Sequence, residues 1–456
     1  MILFNKILFL ELALIILSSA MLHSQQYKDK TVSIKIKNLL AEMTLDEKIG
    51  QMTQVDHRYL EQKSDIKTYF LGSLLSGGGS TPDTNNPRSW VRMYNEYQDF
   101  ALDTRLAIPL IYGIDAVHGH NNVYGATIFP HNIGLGCSND EELVQKISEA
   151  TAREVRATGL DWTFAPCLAV SQDERWGRTF ESYSEDTDIV DRLGIASIKG
   201  YQGNNLESPN SVLACAKHYV GDGSTIFGTG INGGIDRGDV LVDEIELRSR
   251  YIKPFRSAVE NGVGSIMISY NSWQSKRLHG HSYLINDILK KELGFSGFVV
   301  SDWSAIDDID EDYKTSIIAA INAGLDMVMV PGEHNKKSHS YIEFINLLKE
   351  SVLEGSVSLN RIDDAVYRIL RIKYSMGLFE KPLKDFSRLN EIGSSRNREL
   401  AREGVNKSVV VLQNNNDVLP ISKNIKSILV AGEHGHDLGY QCGGWTISWQ
   451  GGSGNT

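Results

Sequence analysis

Residues 297–303 read GFVVSDW, a short continuous apolar run that stops on Asp302 and Trp303. A run this short, rich in β-branched residues and bounded by Gly, is read as a strand buried on both faces. Runs of the same kind recur at residues 52–55, 72–75, 108–114, 162–168, 212–218, 265–270 and 327–330, separated by longer amphipathic stretches. Strands buried on both faces and separated by helices imply a parallel sheet. Eight such units predict an α/β fold of the (β/α)8 TIM type. The helix signals agree. Thr44 to Glu47 forms a capping box ahead of Ile49 and Met52, and Val366, Ile369 and Leu370 make an apolar stripe. An open doubly wound sheet fits the same pattern, and it too binds ligands at strand carboxyl ends.

Reactive residues fall where these runs end: Asp115, Lys217 with His218, Tyr270, and Asp302. In a barrel those ends surround the active site. Asp302, delivered by an apolar strand and flanked by Trp303, suits a nucleophile attacking a carbon with oxocarbenium character. The structural alternative is a cap for the next helix. Asp115, with His118 nearby, can grip two sugar hydroxyls or tie down its own loop. Lys217 and His218 would face opposite ways along a strand, but at its last residues both can turn inward. Arg175, Trp176, Gly177 and Arg178 supply multi-donor contacts and a stacking surface, with one of the two arginines expected to pair with Glu181 or Asp173. Tyr270 suits a hydrogen bond to Asp302 or to a hydroxyl, or a place in the core. Trp445 and Trp449 read as sugar-stacking platforms or as core residues. Gly228, Gly230 and Gly233 match a dinucleotide-binding spacing without the helix that should follow. Asp308, Asp310 and Asp312 lack the Gly and final Glu of a calcium loop, so a solvated acidic face is expected.

The 456 residues carry 46 Lys and Arg against 57 Asp and Glu, a net charge of -11 with no basic run, which argues against a nucleic-acid partner. Hydrophobic residues at 41% exclude wholesale disorder. Residues 1–24 read as a signal peptide. Lys6 leads an apolar core over residues 7–17, interrupted by Glu11 and closed by Ser18, Ser19 and Ala20. That core is shorter than the roughly 20 residues needed to span a bilayer, so the expectation is export to the periplasm or beyond, without stable membrane insertion. Cys137, Cys167, Cys215 and Cys442 match no zinc or redox spacing. Cys167 and Cys215 lie in neighbouring strands, and buried free thiols are expected rather than a bridge. Residues 30–380 form the barrel, 381–400 a linker, and 401–456 the start of a second domain whose remainder is missing. Within that start, residues 427–432 read as a buried strand. No sequence feature specifies an oligomer.

Taken together, the chain resembles glycoside hydrolase family 3, the β-glucosidase and exo-β-glucanase group, from about residue 35 onward. The resemblance rests on GIDAVHGHNN (113–122), ATIFPHNIGLG (126–136), ERWGRTFESYSED (174–186), AKHYVGDG (216–223), IMISYNSW (266–273), GFVVSDW and MGLFEKP (376–382). It implies a retaining exo-acting enzyme that releases terminal β-D-glucosyl residues from β-linked oligo- or polysaccharides, without a cofactor or metal. It also implies Asp302 as nucleophile, with Asp115, Arg178, Lys217, His218 and Tyr270 lining the glucosyl subsite and Trp303 and Trp445 clamping the next sugar. Three departures matter. Ser171 and Thr179 stand where plant members carry a cysteine pair. Gly233 replaces a carboxylate that Asp236 or Asp239 can supply. The sequence GDG (221–223) stands where the N-acetylglucosaminidase branch has a His-bearing loop. The family's acid/base Glu belongs to the second, α/β sandwich domain, and this chain is expected to enter that domain near Ala401 and stop before the Glu. A sugar-binding protein without useful turnover is therefore a second expectation, and β-xylosidase or phosphorylase activity a third.

Overall fold

All eight apolar runs form strands in the computed structural model, which describes residues 30–332 and 338–454. The expected signal peptide lies outside the described residues. A helix over residues 30–42 belongs to one compact unit, ending at Thr44; everything below concerns the second, from Leu45 onward.

The strands in chain order are β1 (Thr53–Asp56), β2 (Ser73–Ser76), β3 (Ile111–Ile114), β4 (Trp162–Thr163), β5 (Leu213–Tyr219), β6 (Asp239–Val240), β7 (Ser265–Ile268), β8 (Ser272–Trp273), β9 (Lys276–Arg277), β10 (Phe298–Val300) and β11 (Val328–Met329). Eight of them form one sheet in the order β10-β7-β5-β4-β3-β2-β1-β11, and every pairing in it is parallel. A parallel bridge between Val300 and Met327 joins its two ends and closes the circle. This is a (β/α)8 barrel, and closure removes the doubly wound alternative.

Proline cannot donate to a ladder, and two of the ladders stop short of a proline within their apolar runs. Accordingly, β3 begins after Pro109, and β4 ends at Thr163, ahead of Pro166. The interior is filled by aromatic rings. Trp162 meets Phe164 and Phe298 edge-on, with ring centroids 4.8 and 5.0 Å apart. Gly113 makes room for this layer, since a β-carbon there would lie 2.4 Å from the Phe164 ring.

Outside the barrel, helices start on side-chain caps that occupy otherwise unpaired N–H groups. Asn86, Asp140, Asp186, Asp312 and Ser358 each accept from the first turn of the helix that follows. The Asp308–Asp312 stretch thus ends in a helix cap. A three-stranded sheet (β6-β8-β9) is built from segments that follow β5 and β7. Its β8–β9 hairpin turns through Gln274 and Ser275, both at positive φ.

Residues 381–400 pack against the barrel rather than hanging free. Lys384 and Asn95 exchange two hydrogen bonds, and Gly393 N and Asn397 Nδ2 both donate to the buried Glu154. The strand expected at residues 427–432 does not form. No neighbouring strand pairs with it among the described residues, and Leu429 is 90% exposed. A lone strand satisfies neither its backbone nor its apolar faces.

Candidate active site

Asp302 sits two residues beyond β10 with its two carboxylate oxygens in different circumstances. Oδ1 accepts the Trp303 N–H at 2.7 Å, while Oδ2 is buried without a hydrogen-bond partner and lies 3.5 Å from His218 Nε2. The Asp302 N–H donates to His279 Nε2 at 3.1 Å, which fixes His279 as the Nδ1–H tautomer. Burial pushes the Asp302 carboxyl above its ordinary value, against the pull of Arg178 and Lys217.

His218, near the end of β5, is held from both sides. Arg178 grips Glu181 in a two-pronged ion pair at 2.7 and 3.0 Å, and its Nη2 donates to His218 Nε2 at 3.0 Å. Because an arginine only donates, His218 Nε2 is an acceptor and its proton rests on Nδ1. That Nδ1 donates to Asp222 Oδ2 at 2.7 Å. Burial first, then the Arg178 charge, pushes the imidazole well below its usual pKa, so it is neutral. Lys217, also fully buried, reaches Asp115 at 3.4 Å, and burial raises the Asp115 carboxyl to about 6. Both residues at this strand end therefore turn toward the same pocket, which is largely buried yet dense in polar groups.

Trp445 comes from far along the chain. Its carbonyl accepts from Asn121 Nδ2 at 2.5 Å, Ile447 N donates to Asn121 O, and Gly79 N donates to Ile447 O. These bonds stitch the Gly-rich loop across the barrel mouth and leave Trp445 buried, with Lys217 Nζ 5.1 Å from its ring centroid. Trp449 stays half exposed, against Gly78. Trp303 stands edge-on to Tyr59 at 6.3 Å and against Gly77.

Several expectations are corrected in detail. The Tyr270 hydroxyl donates to the Trp303 carbonyl, not to Asp302, and its ring lies under the Arg237 guanidinium at 3.8 Å. Both arginines pair, not one: Arg175 binds Asp173 at the surface and stacks on Phe227, while Arg178 binds Glu181 inside. His118 turns away from the site to stack on His131 at 4.0 Å and to bond Phe129 O and Thr446. All four cysteines are free, and Cys167 and Cys215 are buried. Asp56, at the end of β1, is consumed by Arg58, Ser80 and the Gly77 N–H. Asp222, His279, Arg237 and Asn121 were not singled out from sequence. Only Asp222 carried a signal there, lying four residues after His218 in a Gly-flanked turn.

Residues 44–372 match the glycosyl hydrolase family 3 N terminal domain. The chain belongs to that family. It is 33% identical to the lysosomal beta glucosidase of Dictyostelium discoideum, over 91% of this chain and 53% of that protein. The periplasmic beta-glucosidase of Salmonella typhimurium is 31% identical, over 85% of this chain and 49% of its own length. Among solved structures, the exo-1,3/1,4-beta-glucanase of a Pseudoalteromonas species superposes with a TM-score of 0.85 at 42% identity, covering 92% of this chain and 52% of that one. The family 3 chain thus spans about half the length of the relatives it matches.

Proposed function

We propose that this family 3 domain carries the nucleophile and glycone pocket of a retaining, exo-acting β-glucosidase acting on terminal non-reducing β-D-glucosyl residues of β-glucans or oligosaccharides. One observation carries the reading: Asp302 Oδ2 is buried and unpartnered beside Lys217, His218 and Arg178, where a single sugar ring would find donors for its hydroxyls. In this mechanism Oδ2 attacks the anomeric carbon as the bond to the aglycone oxygen breaks, and that oxygen leaves with the electron pair and takes a proton. Water then attacks the same carbon and gives up one proton, balancing the one the aglycone took, the carbon–Oδ2 bond breaks, and configuration is retained overall. Asp115 and Lys217 hold hydroxyls, His218 Nε2 accepts one in exchange for its Arg178 donor, and Tyr270 steadies the loop bearing Trp303. Trp303 and Trp445 sandwich the following sugar. Residues 401–456 are proposed as the opening of a further domain, and residues 1–24 as the signal that exports the protein to the periplasm or beyond. The periplasmic relative supports this location, and among the described residues no helix is long and apolar enough to cross a membrane.

The test is covalent trapping with a 2-deoxy-2-fluoro-β-glucosyl donor bearing an activated aryl leaving group. Such a group departs without a proton, so the outcome does not depend on which residue protonates the natural aglycone. The expected result is one fluoroglucosyl unit on the peptide containing Asp302. No label anywhere would favour a sugar-binding protein, and a label on another residue would remove Asp302 as nucleophile. Parallel aryl glucoside and aryl xyloside rates separate the β-xylosidase alternative.

Activity should also respond to acid. Asp115 and Asp302 work ionised, and burial lifts both carboxyls, Asp115 to about 6. A raised pKa means the proton returns earlier as pH falls. The acid limb of kcat/KM is therefore expected near pH 6 or above, rather than near the ~4 of a free carboxyl. A profile flat down to pH 4.5 would contradict this.

A further inference from the structure

Behind the sugar pocket three different metal-ligating groups converge. Cys167 Sγ, a ring nitrogen of His218 and a carboxylate oxygen of Asp222 all lie within 4.8 Å of one another. The residues are 3%, 2% and 8% exposed. Their positions are set by the barrel itself: Cys167 follows β4 and bridges in parallel to Lys217 of β5, His218 lies in β5, and Asp222 opens the turn after it. Asp222 Oδ1 is buried with no hydrogen-bond partner, and the Nδ1 edge of His218 is already turned toward the same carboxylate.

We propose that Cys167, His218 and Asp222 form a binding site for a thiophilic divalent cation of the zinc class, and that filling it shuts down the adjoining sugar pocket. One thiolate, one imidazole and one carboxylate are a ligand set such ions take, with a fourth position left open. His218 and Asp222 also line a cavity bordered by Trp176, Arg178, Tyr270 and Asn271. The charges balance, because the thiolate and carboxylate together offset a double positive charge. The thiol proton leaves for solvent when the ion binds, and the His218 proton moves from Nδ1 to Nε2, so the imidazole stays neutral. The ligand atoms must draw together somewhat, which needs opening of the His218–Asp222 and Arg178–His218 hydrogen bonds.

Inhibition follows from position. His218 Nε2 is 3.0 Å from Arg178 and 3.5 Å from Asp302 Oδ2. Turning the imidazole toward a metal takes away a sugar acceptor and sets positive charge beside the carboxylate that must act as nucleophile. This consequence rests on the glucosidase reading; the binding site itself does not.

The experiment titrates the whole chain, with thiols reduced, with cadmium chloride while following the thiolate-to-cadmium ultraviolet band. Wild type should show the band at one ion per chain, and Cys167→Ser should lack it. The double variant Cys137→Ser/Cys442→Ser, which removes the two thiols that are not buried, should keep it. As a second variant, Asp222→Asn leaves the thiol in place and should weaken cadmium binding at least tenfold. Zinc chloride should inhibit aryl glucoside hydrolysis by wild type, and Cys167→Ser should need at least ten times more zinc. If wild type and Cys167→Ser bind cadmium alike, or if the surface-thiol double variant loses the band, the site is overturned. If cadmium binds as expected but no aryl glucoside is cleaved, the metal site stands and the glucosidase reading falls.

Discussion

Replacing Asp302 with Ala should lower kcat/KM for 2,4-dinitrophenyl β-glucoside by more than about 10⁴-fold, because the group that forms the covalent intermediate is gone. The loss should leave folding intact. Asp302 Oδ2 is buried without a partner, so its ionised form is held at a cost that removal relieves. The melting temperature of Asp302→Ala is therefore expected to equal or exceed that of the parent. Added azide supplies the decisive readout. In the space left by the side chain, azide can attack the anomeric carbon directly, and one inversion gives the α-configured glucosyl azide. Rescue by azide with that configuration identifies the missing group as a nucleophile. A structural role for Asp302 would give neither rescue nor an inverted product. A variant that keeps its rate within tenfold would end the assignment.

Asp302, Asp115, Lys217 and His218 were legible in the sequence for one reason: each is a polar residue abruptly ending a run that is otherwise apolar. Burial on both faces makes parallel strands read as unbroken apolar segments, and that same pattern fixed the eight barrel positions. The limits have equally physical causes. The β6, β8 and β9 strands hold two residues each, Asp239–Val240, Ser272–Trp273 and Lys276–Arg277, too few and too mixed to carry a period. His279 and Arg237 meet Asp302 and Tyr270 across loops that come together only when the barrel closes. The Asn121 contact that seats Trp445 spans 324 residues. The apolar run at 427–432 shows the opposite failure: composition gives strand propensity, but pairing needs a neighbour that propensity does not supply.

Lys373 offers the complementary case, a residue whose removal should cost stability and spare the chemistry. It is fully buried in the helix Leu359–Ser375, and its Nζ donates at 2.7 Å to Gln51 Oε1, Gly72 O and Pro109 O. Those acceptors lie just ahead of β1, β2 and β3, so one ammonium ties three strand entrances to the outer helix at the end of the barrel opposite the site. An ammonium has three N–H groups, and all three are used. In Lys373→Met the chain volume is nearly kept, but three buried acceptors lose their donor together. Each such group strands roughly 1–3 kcal/mol of desolvation. Partial relaxation brings the expected total to about 3–5 kcal/mol. The variant should unfold at clearly lower urea, while the folded fraction keeps the parent's KM and kcat. Asp302→Ala should do the reverse on both counts. A Lys373→Met protein that unfolds at the parent's urea midpoint would mean that the three carbonyls find other donors and that the clamp contributes little. If activity per folded molecule fell with it, the two ends of the barrel would be coupled, and the division between a stabilising entrance and a reactive mouth would not hold for this chain.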